Sequence, residues 1–148
     1  MKKILILALA VIALSLTGCM TVPPMAPDTF DMQAKAFTPA VGMANIYIYR
    51  DTGFGWAAMI PILINGQAIG QTVGNSYCAA QVQPGTYTIT ALAENTATVT
   101  ITVVAGQNYF IRQEISMGFW KARSNLIWVA DITGRAGVLN CRLVRFGQ

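Results

Sequence analysis

The sequence predicts a mainly β domain: an antiparallel β-sandwich of about seven to eight strands over residues 44–148. Three observations lead there. Two segments alternate strictly, Tyr87, Ile89 and Ala91 with Thr86, Thr88 and Thr90, and Ala97, Val99, Ile101 and Val103 with Thr96, Thr98, Thr100 and Thr102. A period of two puts one set on a buried face and the other in water. Residues 44–50 form a β-branched and aromatic run, and Gly and Pro punctuate the chain at short spacing.

Taken in order, the first strand covers 44–50, with Ile46 and Ile48 on one face and Tyr47 and Tyr49 on the other. Residues 58–64 are apolar, and Asn65-Gly66 supplies the pair of positive φ angles of a tight hairpin that returns through 67–71. A strand follows over 77–82. Gln83-Pro84-Gly85-Thr86 suits a type II turn, with Pro and Gly at its central positions. After the two alternating strands, Gly106 leads into 108–115, and 126–132 reads as a further strand. The last segment, 134–144, fits a short helix somewhat better than a final strand. In the core, Tyr87, Ile89, Val99, Ile101 and Val103 are expected to be buried.

The N-terminus points to export. Lys2 and Lys3 precede an apolar stretch, 4–16, interrupted only by Ser15. That is short of the ~20 residues needed to span a bilayer and fits the apolar region of a signal peptide. Leu16-Thr17-Gly18-Cys19 then places a branched apolar residue, two small residues and a cysteine in the order of a bacterial lipobox. Residues 1–18 are thus expected to be cleaved and Cys19 to carry an acyl lipid of the palmitate class. Residues 19–43 contain Pro23, Pro24, Pro27 and Pro39 and read as a Pro-rich tether, with room for a short helix around 31–37. Asp28 and Asp31 fall within it.

The formal charge of +4 owes two units to Lys2 and Lys3, and the remaining bases form no dense run. Nucleic acid is therefore not an expected partner. The chain has no histidine, which excludes a His-dependent triad and removes the commonest metal ligand. Its six carboxylates are scattered, and Arg112 with Glu114 on one strand face reads as a charge pair. No catalytic residue, metal or cofactor is expected, and the protein is read as a non-enzyme.

Several segments occur in a familiar order: the lipobox, the Pro-rich stretch, Ile-Tyr-Ile-Tyr-Arg (46–50), Ile-Asn-Gly-Gln-Ala-Ile-Gly (64–70), Ser-Tyr (76–77), Gln-Pro-Gly-Thr-Tyr-Thr-Ile (83–89), Ala-Gly-Gln-Asn-Tyr-Phe-Ile-Arg (105–112) and Gly-Arg-Ala (134–136). The ordered set resembles a family of small bacterial lipoproteins built around a domain of unknown function. The Pro-Gly-x-Tyr-x-Ile turn is also similar to turns of transthyretin-like and carboxypeptidase-regulatory-like sandwiches. The resemblance implies fold and location, and brings no reaction and no binding residues.

With Cys19 assigned to lipid, Cys78 and Cys141 remain as a pair in an exported protein. A disulfide between them is the expected state; two separate buried thiols are the alternative. The candidate interaction surface is a pair of glycine-flanked aromatic loops, one with Phe54 and Trp56, the other with Phe119, Trp120 and Arg123. The competing reading folds these rings back to cap an open end of the sandwich. The expected function is a lipid-anchored interaction or structural module of the cell envelope. It would bind an envelope protein or wall component on the periplasmic side. With Met20 rather than Asp after Cys19, an outer-membrane location follows if the cell is Gram-negative. The alternative is a small-molecule or lipid-binding lipoprotein with a pocket between the sheets.

Overall fold

The computed structural model describes residues 22–145. Among them are helix α1 (Asp28–Ala34), strands β1 (Ala44–Arg50), β2 (Ile60–Ile64), β3 (Gln67–Thr72), β4 (Ser76–Val82), β5 (Gly85–Leu92), β6 (Thr96–Val103), β7 (Asn108–Met117) and β8 (Ala122–Val129), helix α2 (Asp131–Leu139) and the two-residue β9 (Arg142–Leu143). The strands form a sandwich of a five-stranded sheet, ordered β8-β7-β1-β4-β9, and a four-stranded sheet, ordered β3-β2-β5-β6. The chain visits the sheets alternately. As a result β1 lies parallel to β7, and β4 parallel to β9, inside an otherwise antiparallel arrangement. These two pairs are parallel because each joins strands separated by passages through the other layer.

The space between the sheets is filled by Ile46, Ile48, Ile62, Ile89, Ile101, Val103 and Ile111, all fully or almost fully buried. Tyr87 and Val99 are half-buried and pack against this core. On the opposite face of the same two strands, the hydroxyls of Thr86 and Thr102 lie 3.1 Å apart and those of Thr88 and Thr100 3.2 Å apart. The alternation therefore has the expected sense. Asn65 (φ 49°) and Gly66 (φ 79°) close the β2–β3 hairpin with two positive φ angles, as its sequence requires.

All seven residues of β1 are buried, which a simple two-layer sandwich does not explain. A third layer does. The two helices lie on the outer face of the five-stranded sheet and cover Tyr47, Tyr49, Tyr77 and Phe110 together with Phe37, Val138 and Cys141. Phe37 meets Tyr47 edge-on at 5.4 Å between ring centroids, and Tyr47 stacks on Phe110 at 5.1 Å. Such aromatic pairs add to plain area burial.

Residues 22–43 therefore pack on the domain instead of forming the expected tether. Ala26 N–H donates to Leu143 O at 2.8 Å and Arg145 N–H to Pro24 O at 2.8 Å, which ties the segment to the C-terminal strand. Asp31, expected in a solvated tether, is buried. Its carboxylate accepts from Lys35 Nζ (2.8 Å), Tyr77 OH (2.9 Å) and Leu143 N–H (2.9 Å). Burial pushes that carboxyl up, but these bonds, Lys35 foremost, outweigh it and leave the group below its ordinary value. A sheet face of four aromatic rings needs a cover, and the Pro-containing segment supplies it.

Two turn and boundary expectations also change. Gly85 has no positive φ and instead begins β5 opposite Val103, because the chain at 83–85 passes from one sheet to the other rather than closing a hairpin. Tyr87 OH braces that passage by donating to Gln83 O at 2.9 Å. The strand expected at 126–132 instead runs from Ala122 to Val129, and the residues after it form α2.

Candidate functional site

One end of the sandwich gathers the residues that the sequence singled out. Strands β1 and β7 both finish there, and β4 and β8 both start there, as the pairs Arg50–Ser76 and Met117–Ala122 show. The connection after β1 carries Phe54 and Trp56, and the β7–β8 turn carries Phe119 and Trp120. All four rings are exposed, Phe119 and Trp120 at 82% and 85%. The capping alternative is thereby set aside. Phe119 and Trp120 meet edge-to-face at 4.8 Å, and Met59, Leu92 and Met117 extend the apolar surface around them.

An exposed aromatic loop is usually mobile, yet both of these are pinned from beneath. Arg50 ends β1 with its side chain fully buried. Its guanidinium donates to Ala58 O (2.8 Å), Phe54 O (2.7 Å) and Gly55 O, and so gathers the carbonyls of the first loop. Nε of Arg50 has no partner among the described residues, and burial lowers the group's pKa. A buried cation met only by carbonyl dipoles is costly, which identifies it as a specific brace for the loop. The loop also sits close over Gly74, where an added Cβ would come within 2.9 Å of Trp56 Cα.

The second loop hangs on Glu94, from the β5–β6 turn. The carboxylate accepts the N–H groups of Phe119 (3.0 Å), Trp120 (2.7 Å) and Lys121 (2.9 Å), a concave backbone nest closed on an anion. The N–H donors of Trp120, then Lys121 and Phe119, hold its pKa down to about 2. Arg123 stands 3.6 Å from the same carboxylate, so its place is beside the brace rather than free in solution. Asp51 pairs with Arg112 at 3.0 Å. Both braces escaped the sequence reading. Arg50 had a faint signal, as the single charge closing a run of apolar residues before a glycine-rich loop; Glu94 had none, because its partners lie 25 to 27 positions away.

Cys78 and Cys141 are both buried and both free, which corrects the expected disulfide. Cys78 is opposite Ile48 in the β1–β4 register and faces the core between the sheets. Cys141 packs under α2 with Tyr49 and Tyr77 on the outer face, 3.5 Å from the carbonyl of Arg50. A sheet lies between the two thiols. Burial pushes each of them up to about 12, so neither is a nucleophile at neutral pH.

Among the described residues, no group of three Cys, Asp or Glu side chains is placed to hold a metal ion. None of the described helices is long and apolar enough to cross a membrane. Cys19 and the lipobox lie outside the described residues. The aromatic end thus presents four exposed rings on two loops whose backbones are held by Arg50 and Glu94.

Comparison with known proteins agrees on the domain and is silent on its chemistry. A Haemophilus influenzae protein described as uncharacterized is 27% identical over 128 residues, covering 86% of this chain and 76% of that one. No solved structure matches the chain. Residues 40–125 match the family described as protein of unknown function DUF2846, a stretch that runs from just before β1 into the start of β8 and includes both braces and both aromatic loops. The chain belongs to the DUF2846 family.

Proposed function

We propose that the protein is a cell-envelope lipoprotein, held by a lipid on Cys19 at the periplasmic side of a membrane, whose sandwich is a non-catalytic interaction module. The observation that carries this reading is the aromatic end: four exposed rings on two loops whose backbones are fixed by Arg50 and Glu94. Preorganised aromatic side chains lose little entropy on contact, which is what a binding surface needs. The lipobox Leu16-Thr17-Gly18-Cys19, following Lys2, Lys3 and the apolar stretch, supports the anchor. Met20 in place of Asp favours the outer membrane in a Gram-negative cell. The filled interior between the sheets favours a contact surface over a ligand pocket.

The test has two arms. In the first, Cys19→Ala should abolish acyl labelling and leave an unprocessed precursor; normal labelling of that variant refutes the anchor. In the second, a photo-crosslinking residue at position 120 should capture another envelope component in intact cells. The same group at position 132, exposed on α2, should not. Equal yields from both positions would refute the contact surface.

A further inference from the structure

We infer that the open half of the β8 edge, residues 126–129, pairs with the same edge of a second copy of this chain, antiparallel and about a two-fold axis at Ile127. The contact lies away from the aromatic end and is independent of the lipid anchor.

The five-stranded sheet has β9 at one edge and β8 at the other. Residues 24–26 close the first. Ala26 N–H donates to Leu143 O and Arg145 N–H to Pro24 O, both at 2.8 Å, around a bridge between Met25 and Val144. At β8 the β5–β6 turn closes only the first half of the strand. Asn95 Oδ1 accepts Ser124 N–H at 2.9 Å, and its Nδ2 donates to Ser124 O at 2.8 Å. Glu94 N–H donates to Ala122 O at 3.0 Å. The Asn95 amide thus stands in for a neighbouring strand at Ser124. Beyond it the edge is bare, and a bare strand edge is a template for another strand.

The same bonds show which backbone groups face outward. Along an edge strand, successive residues turn alternately to the neighbouring strand and to the open side. Ala122 and Ser124 face the open side, so Leu126 and Trp128 do too, while Asn125 and Ile127 are turned to β7. Among the described residues, the N–H and C=O of Leu126 and Trp128 meet no partner. Proline, charge and a bulge are the usual guards of an open edge. Residues 126–129 contain no proline and no charge, and the β7–β8 register runs to its end without a shift. Ile127 and Trp128 are exposed.

The length of the gap selects the partner. A long strand laid along residues 126–129 would run into the Asn95 amide opposite Ser124. A second copy does not. With the axis at Ile127, Leu126 meets Trp128 of the second copy, and Trp128 meets Leu126 of the second copy. Each pair exchanges two N–H···O bonds, and together they use every free group on both edges. Position 124 then faces position 130 of the copy, past the last residue of β8. There the chain leaves for α2 on the outer face, whereas Asn95 reaches in from the other sheet. Moving the axis to Leu126 would set Trp128 against Ser124, already taken by Asn95. Moving it to Trp128 would set Leu126 against Ala130, whose carbonyl already accepts Gly134 N–H. Only the axis at Ile127 is self-complementary, as a closed two-fold contact requires. The nearest charges, Arg123 and Asp131, are paired with Glu94 and Arg135 and bring no unpaired repulsion.

Disulfide trapping in intact cells producing the full-length protein tests this. Cys78 and Cys141 are buried, and the parent chain sets the background. Ile127→Cys would bring two thiols together across the axis, with Cα atoms ~4.5 Å apart. Asn125→Cys is exposed as well, but its Cα would stand ~14 Å from that of the copy, beyond the ~7 Å a disulfide can bridge. Mild oxidation should give a species of twice the mass for Ile127→Cys, at least about fivefold above Asn125→Cys. Adding Trp128→Pro removes an outward N–H and no bond to β7, and should lower that yield about tenfold. Trp128→Val loses the ring but keeps the N–H, and should retain clearly more of the yield than Trp128→Pro. Equal losses from the two would overturn the hydrogen-bonded register. Dimer from Ile127→Cys no higher than in the parent, or matched by Asn125→Cys, overturns the pairing, and that comparison decides even if Trp128→Pro unfolds the domain. Trapping of position 127 to a different protein overturns the second copy as the occupant.

Discussion

Gly137 of α2 lies flat against the ring of Tyr49 in β1, so closely that a β-carbon at position 137 would overlap that ring. Gly134, one helical turn earlier, stands in the same relation to Phe110. Helix propensity alone would favour alanine at either position by about 1 kcal/mol. Tyr49 and Phe110 are fully buried and cannot retreat, so overpacking at ~1–3 kcal/mol prevails. Gly137→Ala and Gly134→Ala should each lower the urea midpoint at unchanged m-value. A rise in stability would mean that the helix stands farther from the sheet than this packing requires.

The thiols give a second expectation. In denatured, non-reduced mature protein, Cys78 and Cys141 should both react with an alkylating reagent, and in the folded protein neither should at pH 8. Their folded pKa values lie near 12, against 9.0 for an ordinary thiol, so the unfolded chain releases protons first as pH rises. The stabilisation is therefore complete below pH 9 and is lost progressively between about 9 and 12. Tyr47, held up to about 12 by burial, adds to the same alkaline loss. A denaturation midpoint that stays flat from pH 8 to 11 would contradict these burial assignments.

What the sequence disclosed and what it hid divide along the range of the interactions. Strands β5 and β6 were legible because alternation is a local pattern, and the β2–β3 hairpin because Asn65-Gly66 answers a local backbone demand. The outer layer was not. Tyr47 and Tyr49 are buried by helices at the two ends of the described chain, and no periodicity within 44–50 tells a buried tyrosine face from a wet one. The prolines at 23, 24, 27 and 39 signalled a break in regular structure, and that break is compatible with packing. The aromatic residues of the candidate surface could be named in advance, whereas Arg50 and Glu94 make them a rigid surface through contacts that appear only once the strands are aligned.

The inner core allows a direct comparison of faces. Ile101 is 4% exposed between the sheets, whereas its neighbour Thr100 points outward and shares its hydroxyl with Thr88. Ile101→Ala should cost about 2–5 kcal/mol as a core truncation. Thr100→Ala loses one exposed cross-strand pair and should cost under about 1 kcal/mol. Denaturant titrations of the two variants decide it: equal costs would place the faces of β6 the other way round.

The hold of Glu94 on the second aromatic loop should be visible in acid. Its folded pKa of about 2 lies below the ordinary 4.5, so the carboxylate is favoured in the folded state. The stabilisation it lends is present in full above pH 4.5 and is lost as pH falls through about 2. The amide resonances of Phe119, Trp120 and Lys121, which point at the carboxylate, should therefore titrate together with a midpoint near pH 2. In Glu94→Gln that shared titration should vanish, since the amide has no proton to gain in this range and offers one neutral oxygen to three donors. Hydrogen exchange at 119–121 should then be faster at neutral pH, with β5 and β6 unchanged, because only the turn loses its anion. A shared midpoint near 4.5 in the parent protein would mean that the three N–H groups are not bound to Glu94 in solution, and the second loop would lose its claim to be a preformed surface.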